Sequence, residues 1–134
     1  MPRAIAQGIS HEAPLDITLR PGAQAPEGGI ALPNGSIRLP AGTRVTELAG
    51  YEEGAFWVQD AAATLPARLL NVQASERVAD LCAAPGGKTA QLAIIGAEVT
   101  AVENNPARLL RLKENMTRLG LDVRCLQADA STWQ

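Results

Sequence analysis

Val78-Ala79-Asp80-Leu81-Cys82-Ala83-Ala84-Pro85-Gly86-Gly87-Lys88-Thr89 is the stretch whose reading decides the fold. A short apolar run ends at Asp80-Leu81-Cys82, breaks over Ala83 to Gly87, and restarts at Lys88-Thr89 with helix formers. Strand, glycine turn and helix in that order make a βα unit of the kind that holds nucleotide-like ligands. Glycine lets backbone come within contact distance of a bound molecule, and Pro85 stiffens the approach. The first helical turn adds unpaired N–H groups at the positive end of its dipole, which suits a carboxylate or a phosphate.

Those residues alone leave the ligand open. Gly87-Lys88-Thr89 is also the tail of the phosphate-loop pattern G-x-x-x-x-G-K-[ST], but that pattern needs glycine where this chain has Cys82. A phosphate loop wraps its ligand with a longer excursion than a turn opening directly off a strand. A glycine-rich turn that binds nothing is the third reading.

Downstream of the turn the pattern is regular. Strands are predicted over Val78 to Cys82, Val99 to Glu103 and Val123 to Leu126, with a helix from about Lys88 to Ile95 that stops at Gly96. A second helix opens at Asn105-Pro106, since Asn caps and proline fits the first helical position, and Gly120 ends it. Leu109, Leu112, Met116 and Leu119 form its apolar stripe, which reads as core; Arg108, Arg111, Lys113 and Arg118 read as a solvated face. Two acids fall at the carboxyl ends of strands, where open α/β sheets bind ligands: Glu103 ends the second strand and Asp129 follows the third. An acid there can accept both hydroxyls of a ribose, and a second can take the amino group of an adenine. Either could equally be a plain loop residue; with the glycine turn they outline an adenosine-shaped site.

Upstream, residues 1–14 carry no periodicity and look like a loose lead-in, with His11 read as a surface residue. Leu15 to Arg20 alternates as a half-buried strand, Pro21 to Gly29 is a loop, and Ile30 to Leu39 reads as a hairpin around Pro33-Asn34-Gly35 with a type I′ turn. Thr43 to Leu48 is a further short strand. Gly50 to Trp57 is predicted as a turn whose aromatics, Tyr51, Phe56 and Trp57, plug the front section against the back; base stacking is the alternative. Asp60 can cap a helix running toward Leu70, with Pro66 bending or restarting it and Asn71 ending it. The predicted class is therefore α/β: a β-rich section over 1–50, then parallel strands joined by helices over 51–134.

Composition narrows the function classes. The 134 residues are 46% hydrophobic but only 3% aromatic, so the core is built from Ala, Leu, Val and Ile. A net charge of −2 gives no electrostatic footprint for nucleic acid, so an RNA-binding surface is either local or outside this chain. No apolar stretch approaches the ~20 residues of a membrane span, and the default expectation is cytoplasm without a membrane partner. Cys82 and Cys125 lack metal spacing and are expected to be buried, reduced thiols.

The Asp80 to Thr89 string resembles the S-adenosylmethionine motif of the RNA cytosine-5 methyltransferases, most closely their RsmB type, also called Sun or Fmu. Gln59-Asp60-Ala61-Ala62-Ala63 is similar to that family's Gln-Asp-x-Ala-Ser helix start, with Ala63 in place of serine. Glu103 followed by Arg108 resembles its second motif, and Ala128-Asp129 its third; the likeness runs from about Leu15 to the end. It implies a Rossmann-like methyltransferase domain in which Cys82, Ala83, Ala84, Pro85, Gly86, Gly87 and Lys88 cradle the methionine part of S-adenosylmethionine. Glu103, with Arg108, would hold the ribose, and Asp129 would contact adenine. The implied reaction is methyl transfer to carbon 5 of a cytosine in RNA, ribosomal RNA above all, after a cysteine thiolate adds to carbon 6.

The family's cysteine motifs, Asp-Ala-Pro-Cys and Thr-Cys-Ser, do not occur in this sequence, and neither Cys82 nor Cys125 matches them. The expectation is thus a truncated domain, the cofactor-binding half, inactive alone. It would leave its first parallel strand as an open edge prone to self-association. A phosphate-loop nucleotide-binding domain and a non-catalytic RNA-binding module are the competing classes.

Overall fold

The computed structural model describes residues 12–133, so His11 and nearly all of the lead-in lie outside the described residues. Among the described residues, seven strands form two sheets. β1 (Leu15–Leu19), β2 (Ile30–Ala31), β3 (Ile37–Leu39) and β4 (Phe56–Val58) make an antiparallel sheet in the order β2-β3-β1-β4. β5 (Arg77–Asp80), β6 (Glu98–Glu103) and β7 (Arg124–Gln127) make a parallel sheet in the order β5-β6-β7. Three α-helices accompany them among the described residues: α1 (Leu65–Leu69), α2 (Gly87–Ile94) and α3 (Pro106–Arg118). The expected α/β class and its βα alternation are present; the first parallel strand stops two residues early, at Asp80, because Leu81 already belongs to the turn.

α3 follows its sequence signals closely. The Asn105 side chain accepts from the backbone N–H of Ala107 at 3.0 Å and of Arg108 at 3.1 Å, and Pro106 occupies the first turn. Leu109, Leu112 and Met116 are buried against Trp57, Ala83, Ala84, Ala90, Ala101 and Leu119. Gly120 takes φ +61°, its N–H bonds the Thr117 carbonyl and that of Leu121 reaches Met116, so two terminal carbonyls are paired and the helix ends.

The aromatic plug is real, but its mechanism is a strand. Phe56 and Trp57 sit on β4, where successive side chains point to opposite faces. Phe56 is therefore fully buried among Ile17, Ile37 and Leu39, while Trp57 enters the cluster behind the glycine turn. One strand links the two cores, and the predicted turn ends at Ala55.

Three further expectations are corrected. Thr43 to Leu48 is not a strand: Val45–Glu47 is a 3-10 turn, because Arg44 to Leu48 spend their backbone groups on local bonds and Arg44 pairs with Glu47 at 3.0 Å. The hairpin turn is not type I′. Pro33 holds φ negative, and only Gly35 is left-handed, at φ +81°; Gly35 N–H bonds Leu32 and Leu32 N–H bonds Ser36. The arginines of α3 are not one solvated face. Arg118 donates to the carbonyls of Tyr51 at 2.6 Å and Phe56 at 3.1 Å and stacks 4.1 Å from the Tyr51 ring centroid.

Asp60 does cap the turn before α1, accepting from Ala62 N–H at 2.8 Å, and Pro66 restarts the helix as expected. Among the described residues no helix is long and apolar enough to cross a membrane.

Candidate functional site

The turn between β5 and α2 is anchored at both ends. Thr89 is fully buried and its hydroxyl donates to Asp80 Oδ2 at 2.7 Å, tying the start of α2 to the end of β5. Ala83 N–H bonds the Val102 carbonyl at 3.1 Å, which fastens the turn to the neighbouring strand. Gly86 sits at φ +112°, and a Cβ there would come within 2.8 Å of both Leu112 Cδ1 and Met116 Cε. Only glycine satisfies the backbone and the packing together. Gly87 is pressed against Gln59, with a Cβ site 3.2 Å from Gln59 Cγ.

α3 holds the same turn from the other side. Arg108 donates to the Ala84 carbonyl at 2.8 Å, and Asn115 donates to the Pro85 carbonyl at 2.8 Å. Two successive carbonyls that a tight turn leaves unpaired thus find side-chain donors.

Beside the turn, Cys82, Glu103, Arg108 and Asp129 line one cavity of about 130 Å³. Sequence spacing alone separates these groups; the parallel strands bring them together at their carboxyl ends. Ala84, Pro85 and Arg108 also line an adjoining cavity of about 320 Å³. Pro85, Gly86 and Gly87 border a third, of about 480 Å³, between the turn, α3 and β4. Ala83 and Ala84 are buried in the core under the turn, and Lys88 is exposed at the start of α2.

Glu103 is the chemically unfinished group. It is 3% exposed; Oε1 accepts from Asn105 N–H at 3.1 Å, but Oε2 is buried without a hydrogen-bond partner among the described residues. Arg108 Nη2 lies 3.5 Å from Oε2, close enough to offset its charge and too far to satisfy it. A buried acceptor in that state is destabilising unless a ligand donates to it, and a vicinal diol is a good fit. Asp129 is exposed, and its Oδ1 accepts from Ser131 Oγ at 2.7 Å and Ser131 N–H at 2.9 Å. The Ser131 hydroxyl, then its amide, holds the carboxyl below the usual range.

The two thiols differ from expectation and from each other. Cys82 is exposed, because β5 ends before reaching it; Cys125 is half-buried on β7, and burial pushes its thiol up. Both are free. Among the described residues no cluster of metal-ligating side chains exists.

Two roles escape the sequence reading: that of Asn115, and that of Gln59 beyond its place in a helix-start motif. Asn115 follows Arg108 and Arg111 at helical spacing on the flank of α3 that faces the turn, and that spacing was the available signal. Gln59 is 4% exposed and accepts from Trp57 Nε1 at 2.9 Å and Thr18 Oγ1 at 3.1 Å while donating to Gln91 Oε1 at 2.5 Å. Nothing in its local sequence announces that network.

The chain is similar in sequence and in fold to known proteins. Residues 67–134 match the family described as 16S rRNA methyltransferase RsmB/F. The probable ribosomal RNA small subunit methyltransferase B of Coxiella burnetii is 41% identical over 102 residues, covering 72% of this chain and 24% of that protein. The ribosomal RNA small subunit methyltransferase B of Serratia proteamaculans is 45% identical over 101 residues, covering 74% and 24%. The crystal structure of NSun6 from Pyrococcus horikoshii with SFG superposes with a TM-score of 0.62 at 25% identity, over 95% of this chain and 42% of that one. The chain spans about a quarter of the length of the curated relatives it matches. The match over residues 67–134 places the chain in the RsmB/F family of 16S rRNA methyltransferases.

Proposed function

We propose that this chain is the S-adenosylmethionine-binding portion of an RNA cytosine-5 methyltransferase acting on small-subunit ribosomal RNA in the cytoplasm. The buried, unpartnered Glu103 Oε2 carries the reading: it lines a cavity with Cys82 and Asp129 and lacks a donor that a ribose hydroxyl supplies. The relatives' names and the NSun6 structure with SFG, a cofactor analogue, support the cofactor assignment.

In this reading Glu103 accepts from the ribose hydroxyls while Arg108 offsets its charge. Asp129 keeps Oδ2 for the adenine amino group, Oδ1 being occupied by Ser131. Cys82 to Lys88 contact the methionine tail, and the first-turn amides of α2 meet its carboxylate. Bound S-adenosylmethionine would supply an electrophilic methyl group. The residues that add to the cytosine are not assigned to this chain: Cys82 lies in the cofactor turn and Cys125 along β7. Cofactor binding without turnover is therefore expected of the 134-residue chain.

A phosphate loop finds less support, since the Thr89 hydroxyl that would reach a magnesium ion is fully buried on Asp80. Calorimetric titration with S-adenosylhomocysteine tests the choice. Binding that weakens at least about tenfold in Glu103→Gln, as loss of one charge-assisted hydrogen bond predicts, supports the reading. Magnesium-dependent ATP binding lost in Lys88→Ala, with no response to the homocysteine compound, overturns it.

A further inference from the structure

We propose that Cys82 is a thiol-modification site at which a small disulfide and the cofactor exclude one another; this rests on the cofactor reading above. Cys82 is exposed, free, and lines the cavity of about 130 Å³ that also contains Glu103, Arg108 and Asp129. The second, independent observation is Glu103 itself, 3% exposed with Oε2 unpartnered, which marks the same cavity as a place where a ligand completes the structure. A thiol at the wall of a ligand cavity is accessible when the cavity is open and covered when it is filled.

Accessibility decides where thiol chemistry happens, because exchange needs a disulfide to reach the sulfur in line. Cys125 offers a built-in contrast. It is half-buried on β7 against the main core, and burial pushes its thiol up, so it reacts slowly. Oxidised glutathione is a suitable partner. The Cys82 thiol gives up its proton, and its sulfur attacks one sulfur of the glutathione disulfide. That S–S bond breaks, a Cys82–glutathione disulfide forms, and the departing glutathione thiolate takes the proton. Cys82 is oxidised and one glutathione reduced, and an added dithiol reverses the step. A tripeptide attached at the rim of this cavity would occupy the space a nucleoside needs against Glu103. The site would then be closed by oxidation and reopened by reduction, without any movement of the fold.

The experiment uses the Cys125→Ser chain, whose remaining thiol is Cys82, and the Cys82→Ser chain as the comparison for labelling only. Both are incubated with oxidised glutathione, with and without saturating S-adenosylhomocysteine, and glutathionylation is followed by mass. Homocysteine-compound affinity is then measured by calorimetry on the modified Cys125→Ser chain and again after dithiothreitol. The expected result is rapid modification at Cys82, at least tenfold faster than at Cys125, slowing at least tenfold with the ligand present. Affinity should fall at least tenfold on modification and recover on reduction. Equal labelling of the two thiols, or unchanged affinity after modification, overturns the proposal while leaving the cofactor reading intact. No binding to the unmodified chain overturns that reading, and the exclusion with it.

Discussion

Arg108 Nη2 lies 3.5 Å from Glu103 Oε2 and 2.8 Å from the Ala84 carbonyl, so one guanidinium touches the acid that ends β6 and the turn that leaves β5. Neither contact is repeated by another side chain at those atoms among the described residues. The arginine thus sets how far the acid stands from the turn, which is the dimension an adenosine must span.

The first prediction concerns that spacing. Arg108→Ala removes a charge-assisted hydrogen bond to the turn and leaves Glu103 Oε2 without a nearby cation. Affinity for S-adenosylhomocysteine should fall about tenfold, the equivalent of ~1.4 kcal/mol. The same change leaves a buried carboxylate without its cation and the Ala84 carbonyl without its donor, so the melting temperature should fall as well. Calorimetry and a thermal melt on the same preparation separate the two effects, and a large stability loss with unchanged affinity would reverse the assignment.

Gly86 yields a stability prediction. Alanine there is strained by φ +112° and drives a methyl to within 2.8 Å of Leu112 and Met116. The backbone strain alone is about 1–3 kcal/mol, and displacing two core side chains adds to it. A fall in melting temperature on the order of 10 °C is expected for Gly86→Ala. Gly22→Ala, at φ +82° with nothing within 4 Å of its Cβ, isolates the backbone component and should fall by less. Equal losses in the two variants would mean that the packing of the turn on α3 contributes nothing.

Asp16 gives the pH dependence. It is 5% exposed and accepts from Arg38 Nε at 2.7 Å and Nη2 at 2.8 Å, and from Ala61 N–H at 3.1 Å. The Arg38 bond, partly opposed by burial, lowers the carboxyl below its ordinary 3.8. The folded chain therefore keeps the charged form to lower pH than the unfolded chain does. Its contribution is complete above the unfolded value and is lost as pH falls through the folded one. The stability gap between wild type and Asp16→Asn, read from denaturant melts, should be constant near neutrality and narrow below about pH 4. A gap that widens on acidification would contradict the sign.

Much of the parallel half was legible because its signals are local. Asn105-Pro106, the Leu109-Leu112-Met116 stripe and Gly120 each act within one helical turn, and α3 begins and ends where they say. The acids at the strand ends were legible for a similar reason, since β6 and β7 are parallel and in register. The front section was harder. Thr43 to Leu48 has strand-like residues, but turn bonds and an Arg44–Glu47 pair decide its conformation. Cys82 and Arg118 were misjudged because exposure depends on where a strand stops and on what packs across from a helix, and neither is written in the residue itself. Gln59 joins Thr18, Trp57 and Gln91, partners that only the folded chain brings together.

The last prediction concerns the edge of the parallel sheet. β5 pairs with β6 on one side, and among the described residues nothing pairs with its other side. Arg77 and Ala79 are exposed on this strand and Leu81, just after it, is 49% exposed, so one face of the strand is uncovered as well. An unpaired row of N–H and C=O groups is a template for another strand, and the nearest source in a purified sample is a second copy of the chain. Sedimentation should show mass rising with concentration. Ala79→Lys places a charge on the edge, where antiparallel pairing of two copies would set like charges close together, and should shift the distribution toward monomer. The substitution is at an exposed position, so melting measured at low concentration should stay within about 0.5 kcal/mol of wild type. A chain that remains monomeric across the whole concentration range, with Ala79→Lys indistinguishable from wild type, would show that the twist of a three-stranded sheet and the Arg77 charge already suffice to protect this edge.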